Sequence, residues 1–135
     1  MTDPAIRVLL VDDDQDDYHI VRDLLKLVEM ARFELEWAST YERGLEAIRT
    51  SSYDVCLLDF RLGARNGLEL LDDLTAIGDH PEVIMLTGGG HRIVDVAASQ
   101  AGAADYLVKS GLTHVLLERS IRYAMERGRL HNGGR

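Results

Sequence analysis

The sequence predicts a doubly wound α/β fold, and three observations carry the prediction. Short apolar runs alternate with stretches of helical periodicity, a (βα) unit repeated five times along the chain. The first, third and fourth runs are apolar nearly throughout, as strands buried on both faces of a parallel sheet must be. No internal domain boundary interrupts the alternation, and alternation of this kind implies helices on both faces of one parallel sheet.

The elements follow in order. "IRVLLV" (Ile6 to Val11) is a short buried-strand run. Beyond a group of acids, Ile20, Val21, Leu24, Leu25 and Val28 recur at helical spacing and predict a helix from about Asp16 to Met30. "FELEWA" (Phe33 to Ala38) alternates and carries aromatics, as a strand does. "TYERGLEAIRTS" places Tyr41, Leu45 and Ile48 on one helical face. "YDVCLLDF" is a continuous apolar strand ending at Asp59, and "NGLELLDDLTAI" sets Leu68, Leu71, Leu74 and Ile77 on a helix. "EVIMLT" is the fourth strand. "RIVDVAASQAG" is a small-residue helix closed by Gly102. "ADYLVK" is the fifth strand. "THVLLERSIRYAMERGRL" is the last helix, with Leu117, Ile121 and Met125 in register and Thr113 as its N-cap.

Length and charge narrow the function. The 135 residues suit one domain with a real core, and 46% apolar with 28% charged residues is an ordinary globular balance. Fifteen Lys and Arg against 23 Asp and Glu give a net charge of −8, which disfavours nonspecific nucleic-acid binding. One cysteine, Cys56, permits neither an internal disulfide nor a Cys-based zinc site. No apolar stretch approaches the roughly 20 residues that span a bilayer. The start "MTDPAIRVLL" lacks signal-peptide features. A cytoplasmic single domain with no membrane partner is the expectation.

In doubly wound folds the site lies beyond the carboxyl ends of the strands, at the switch in strand order. The first strand ends in Asp12 and Asp13, the third in Asp59, the fourth in Thr87 followed by Gly88, Gly89 and Gly90, and the fifth in Lys109. Singly, each has a plainer account. Asp13, Asp14, Asp16 and Asp17 suit a helix N-terminus; Asp59 suits a turn, Thr87 a satisfied strand hydroxyl, Lys109 a solvated lysine and "GGG" a loop. The joint placement goes unexplained by any of these. Three carboxylates in one pocket repel unless a counter-charge is present. Mg²⁺ takes one or two carboxylates in all-oxygen sites. That cation and Lys109 would offset the charge of an arriving phosphoryl group, with Thr87 bonding one of its oxygens. Asp59, on the middle strand, is the natural nucleophile.

At these residues the chain resembles the receiver domains of two-component response regulators, over about Ile6 to Arg127. "VLLVDDD", "DVCLLDFRLGARNGLEL", "VIMLTG" and "AGAADYLVK" resemble the family's segments in order and spacing. The resemblance implies a flavodoxin-like (βα)5 sandwich whose parallel sheet has strand order 2-1-3-4-5. It implies Mg²⁺ held by Asp12, Asp13, Asp59 and the backbone carbonyl of Arg61. Asp59 is the implied phosphoacceptor for a sensor histidine kinase or phosphotransfer protein, with Thr87 and Lys109 contacting the phosphoryl group. Thr87 and Tyr106 are the implied switch pair, Tyr106 having a half-buried strand aromatic as its plainer account. The implied output is a change in the face built from the fourth helix, fifth strand and last helix, read by a downstream domain or protein. On this reading residues 1–130 are the receiver and 131–135 a tail, either the start of a linker or disordered. The chain is a monomer or a phosphorylation-dependent dimer, and no enzyme beyond its own phosphorylation and dephosphorylation.

Two departures from the family pattern stand out. "RLGARNG" after Asp59 lacks the frequent Leu-Pro, and Ser110 follows Lys109 where a cis proline is common. Two other functions compete. A haloacid-dehalogenase-like phosphatase would use Asp12 as its nucleophile and leave Asp59 without a role. A flavin-phosphate binder would want N–H donors and hydroxyls where this chain has acids. Elsewhere, Cys56 reads as a buried small hydrophobe and Trp37 as core or edge packing. His19, His80, His91, His114 and His131 show no metal spacing.

Overall fold

A computed structural model describes residues 4–88, 97 and 101–133, with no side chains beyond 130. In chain order the elements are β1 (Ile6–Val11), α1 (Gln15–Leu27), β2 (Phe33–Ala38), α2 (Tyr41–Thr50), β3 (Val55–Asp59), β4 (Arg61–Leu62), β5 (Arg65–Asn66), α3 (Gly67–Ile77), β6 (Glu82–Thr87), β7 (Asp105–Val108) and α4 (His114–Gly133). The predicted helix "RIVDVAASQAG" lies almost wholly outside the described residues, as do Gly89, Gly90 and His91.

The main sheet has the order β2-β1-β3-β6-β7, and every pairing in it is parallel. This is the expected 2-1-3-4-5 order, since the two-residue strands β4 and β5 form a separate antiparallel ribbon. Strand periodicity divides the core into two layers. Leu9, Val11, Cys56, Leu58, Val83 and Met85 join α2 and α3 on one face. Val8, Leu10, Val55, Leu57, Ile84 and Leu86 meet α1 and α4 on the other. Cys56 is fully buried and its thiol is pushed up to about 12 by that burial, so it behaves as the small hydrophobe expected.

Three helical expectations shift. α1 stops at Leu27, not Met30, because Val28 turns extended and its N–H bonds back to the Leu25 carbonyl. The chain must leave the helix there to reach β2, and Met30 ends 93% exposed. Ile20, expected on the core face of α1, is 52% exposed, because the buried stripe runs through Val21 and Leu25. In α3 the stripe is Gly67, Leu70, Leu71 and Leu74, while Ile77 in the last turn is 42% exposed. Asn66 fixes the start of α3 with a capping box: its side chain accepts from the Glu69 N–H and the Glu69 carboxylate accepts from the Asn66 N–H. Thr113 caps α4 as expected, accepting from Leu116 N–H at 3.2 Å.

Candidate functional site

The carboxyl ends of β1, β3 and β7 bring together residues that are far apart in the chain. Asp12 extends the β1–β2 ladder by one bond, its N–H donating to the Ala38 carbonyl at 3.1 Å. Its own carbonyl accepts the indole N–H of Trp37 at 2.7 Å. With its backbone held on both sides, Asp12 is 0% exposed. One carboxylate oxygen, Oδ1, accepts the Asp14 N–H at 2.9 Å. The other, Oδ2, is buried and meets the Lys109 ammonium at 3.0 Å as its one neighbouring donor among the described residues.

Asp59 is the last residue of β3, the central strand, and is nearly buried. Its backbone carbonyl lies against Gly67, where an added Cβ would come within 2.5 Å of it. The bond from the Gly67 N–H to the Phe60 carbonyl, 2.7 Å, draws the start of α3 this close to the end of β3. Lys109 follows β7 and donates its backbone N–H to the Thr87 carbonyl at 2.7 Å, aligning it with the end of β6. Its ammonium reaches Asp59 Oδ1 at 3.1 Å and Asp17 Oδ2 at 2.5 Å. The Lys109–Ser110 peptide is trans, and Gly111 at φ +81° turns the loop into α4.

The remaining expected site residues lie at different depths. Asp13 is exposed, and its carboxylate accepts the N–H of Gly63 at 3.2 Å, in the left-handed turn (φ +66°) of the β4–β5 ribbon. Arg61 is exposed, and its backbone N–H supports the Asp59 carboxylate. Thr87, at the end of β6, is buried and donates its hydroxyl to Tyr106 at 3.1 Å. Tyr106 is half-buried on β7.

The electrostatics follow from burial and charge count. Burial pushes Asp12 up to about 7; the Asp14 N–H works against this, the Asp59 charge adds to it, and Lys109 opposes it. Burial also raises Asp59, against the pull of Lys109. Burial alone would lower Lys109, but its bonds to Asp17 and Asp12 and the carboxylate charges around it hold it above its ordinary value. Three carboxylates face one ammonium here, an excess of acid over base that a further cation would offset. Oxygens of Asp12, Asp17 and Asp59 all lie within 4.8 Å of one another. An all-oxygen donor set of three converging carboxylates, one of its oxygens buried and balanced only by an ammonium, fits a hard divalent cation.

Two residues do more at this site than the sequence predicts. Asp17 does sit in the first turn of α1, but it also enters the pocket. Its signal was its spacing: Asp17, Val21 and Leu25 fall at i, i+4 and i+8, the buried stripe, whereas Asp16 shares the exposed stripe of Ile20. Trp37 is packed at the sheet edge, stacked on Tyr18 with ring centroids 4.9 Å apart, and also braces the Asp12 carbonyl.

Sheet order and pocket together define an open α/β domain whose site sits at the carboxyl edge of its central strands. The family profile described as the response regulator receiver domain matches residues 8–120. The chain is 36% identical over 105 residues to the alginate biosynthesis transcriptional regulatory protein AlgB of Pseudomonas aeruginosa, covering 76% of this chain and 22% of AlgB. It is 31% identical over 124 residues to the acid tolerance regulatory protein ActR of Sinorhizobium medicae, covering 92% of this chain and 62% of ActR. The CheY-like response regulator receiver domain protein of Methanospirillum hungatei superposes with a TM-score of 0.81 at 26% identity, covering 95% of this chain and 99% of that one. The chain belongs to the response regulator receiver domain family. It is a phosphorylation-based signalling domain. The phosphatase alternative is not favoured, since the matches run to receivers and Asp12 is wholly buried. Among the described residues no helix is long and apolar enough to cross a membrane.

Proposed function

We propose that Asp59 accepts a phosphoryl group from the phosphohistidine of a sensor histidine kinase or phosphotransfer protein. An Asp59 carboxylate oxygen attacks phosphorus as the P–N bond breaks, and the electron pair leaves with the imidazole. Lys109, already 3.1 Å from Asp59, neutralises phosphoryl oxygens, and the Thr87 hydroxyl bonds one of them. Mg²⁺, when bound, supplies charge neutralisation at the same oxygens. Asp12 and Asp59 would hold it, with the Arg61 carbonyl and Asp13 completing the set. The observation that carries this reading is the Lys109 ammonium lying between the buried carboxylates of Asp12 and Asp59 at the strand edge.

Transfer of the Thr87 hydroxyl from Tyr106 to the phosphoryl group would free Tyr106 to change position on β7. The face made by the fourth predicted helix, β7 and α4 then presents a new surface to a downstream domain or protein. Residues 1–130 form the body of this receiver unit, and α4 carries on past the expected boundary at 131 as far as Gly133. It acts in the cytoplasm, without direct nucleic-acid or membrane contact, as a monomer or a phosphorylation-dependent dimer. It turns over nothing but its own phosphoryl group. The chain spans about a fifth of AlgB and about three-fifths of ActR, and the net charge of −8 supports an output through protein contact.

Mass spectrometry after treatment with Mg²⁺ and a small phosphodonor tests the assignment. Wild type should gain one phosphoryl group and Asp59→Asn none. Label retained in that variant, or mapped to Asp12, would overturn it.

A further inference from the structure

Asp17 has no part in the reading above, yet it makes the shortest contact to Lys109, 2.5 Å, from a position 92 residues away. It enters from α1, whose next turn is anchored by buried Val21. Its carboxylate is about four-fifths buried and stands within 4.8 Å of oxygens of Asp12 and Asp59. Asp13, by contrast, is exposed and engaged by the ribbon at Gly63. We propose that Asp17 is a third carboxylate of the cation pocket, strengthening divalent-cation binding and keeping hold of the Lys109 ammonium when Asp12 and Asp59 turn to the cation.

This rests on the reading of the pocket as a Mg²⁺ site, and three observations carry it further. Lys109 presently touches all three carboxylates, so it occupies the space between Asp12 and Asp59. A divalent cation and an ammonium repel strongly at such distances, and the ammonium must move toward a carboxylate whose charge it can share with the cation. Asp17 is that carboxylate, because it approaches from the helix while Asp12 and Asp59 approach from the sheet. Meanwhile Asp12 Oδ2, buried and faced by the Lys109 ammonium at 3.0 Å, becomes available to the cation once that ammonium moves. A full negative charge this close to a divalent ion, partly shielded by solvent, corresponds to roughly a tenfold change in affinity.

Calorimetric titration with Mg²⁺ alone separates the outcomes, using wild type, Asp17→Asn, Asp17→Glu, Asp13→Asn and Asp59→Asn, each checked for folding by circular dichroism. Asp17→Asn should weaken Mg²⁺ binding about tenfold, more than Asp13→Asn does. Asp17→Glu, which keeps the charge, should recover most of the loss. Binding by Asp17→Asn within about twofold of wild type, while Asp59→Asn binds no Mg²⁺, would overturn this inference alone. So would a loss that Asp17→Glu leaves unrepaired, since the effect would then be one of shape and not of charge. Asp59→Asn binding Mg²⁺ as wild type does would overturn the reading of the pocket, and this inference with it.

Discussion

Trp37 donates its indole N–H to the backbone carbonyl of Asp12 at 2.7 Å, joining the edge strand β2 to the first residue of the pocket. The ring also stacks on Tyr18 of α1 at an interplanar angle of 13°. The indole thus fixes both the strand end that carries Asp12 and the helix that carries Asp17. Trp37→Phe keeps an aromatic ring for the stack but leaves the Asp12 carbonyl without this donor. It should cost about 1 kcal/mol, read as a lower urea midpoint at unchanged slope. An unchanged midpoint would mean that water replaces the indole without loss.

Gly67 bears on the same pocket from the opposite layer. An added Cβ would lie 2.5 Å from the Asp59 carbonyl oxygen and 3.1 Å from the Met85 sulfur. The first contact is with backbone, so no rotamer change relieves it. Gly67→Ala should destabilise by about 1–3 kcal/mol, the usual range for overpacking, despite alanine's better helix propensity. It should also slow phosphorylation of Asp59 by displacing the strand end. A variant as stable as wild type would show that α3 can shift outward freely.

Asp12 gives the protein a pH dependence of definite sign. Its ordinary value is 3.8 and burial holds it at about 7 in the folded chain. Between those values the folded state keeps a proton that the unfolded state has released. The contribution of Asp12 is therefore full below about pH 4 and is lost as pH rises to about 7, by a few kcal/mol at most. Asp59 is shifted the same way and adds to the trend. Mg²⁺ needs the ionised carboxylates, so it competes with the proton. The stability difference between wild type and Asp12→Asn should fall from pH 4 to pH 7 without Mg²⁺. Added Mg²⁺ should raise the wild-type Tm at pH 8 and hardly at pH 5. Equal Mg²⁺ effects at the two pH values would contradict a pocket that trades proton for cation.

Much of this architecture was legible in the sequence, because its signals are local. Phe33–Ala38 and Glu82–Thr87 are the very runs that alternation and apolar continuity mark out. Asp12, Asp59, Thr87 and Lys109 stand at or next to strand ends because a parallel sheet places every such end on one edge. The helix ends were less legible. Val28 and Ile77 continue an apolar period past the point where the chain must turn away or the stripe reaches solvent. Periodicity records the residue, not the surface it meets.

The sequence by itself determined the order of elements, the two-layered core and the acids and lysine along one sheet edge, since side-chain period and strand direction follow from the backbone's own geometry. Tertiary structure decided which acids face inward. It turned Asp13 out to the Gly63 loop, brought Asp17 in beside Asp12 and Asp59, and set Lys109 among the three. Those choices depend on how α1 rotates against the sheet and how closely β7 draws Lys109 to it. They are packing relations between segments about 90 residues apart, which no local pattern encodes.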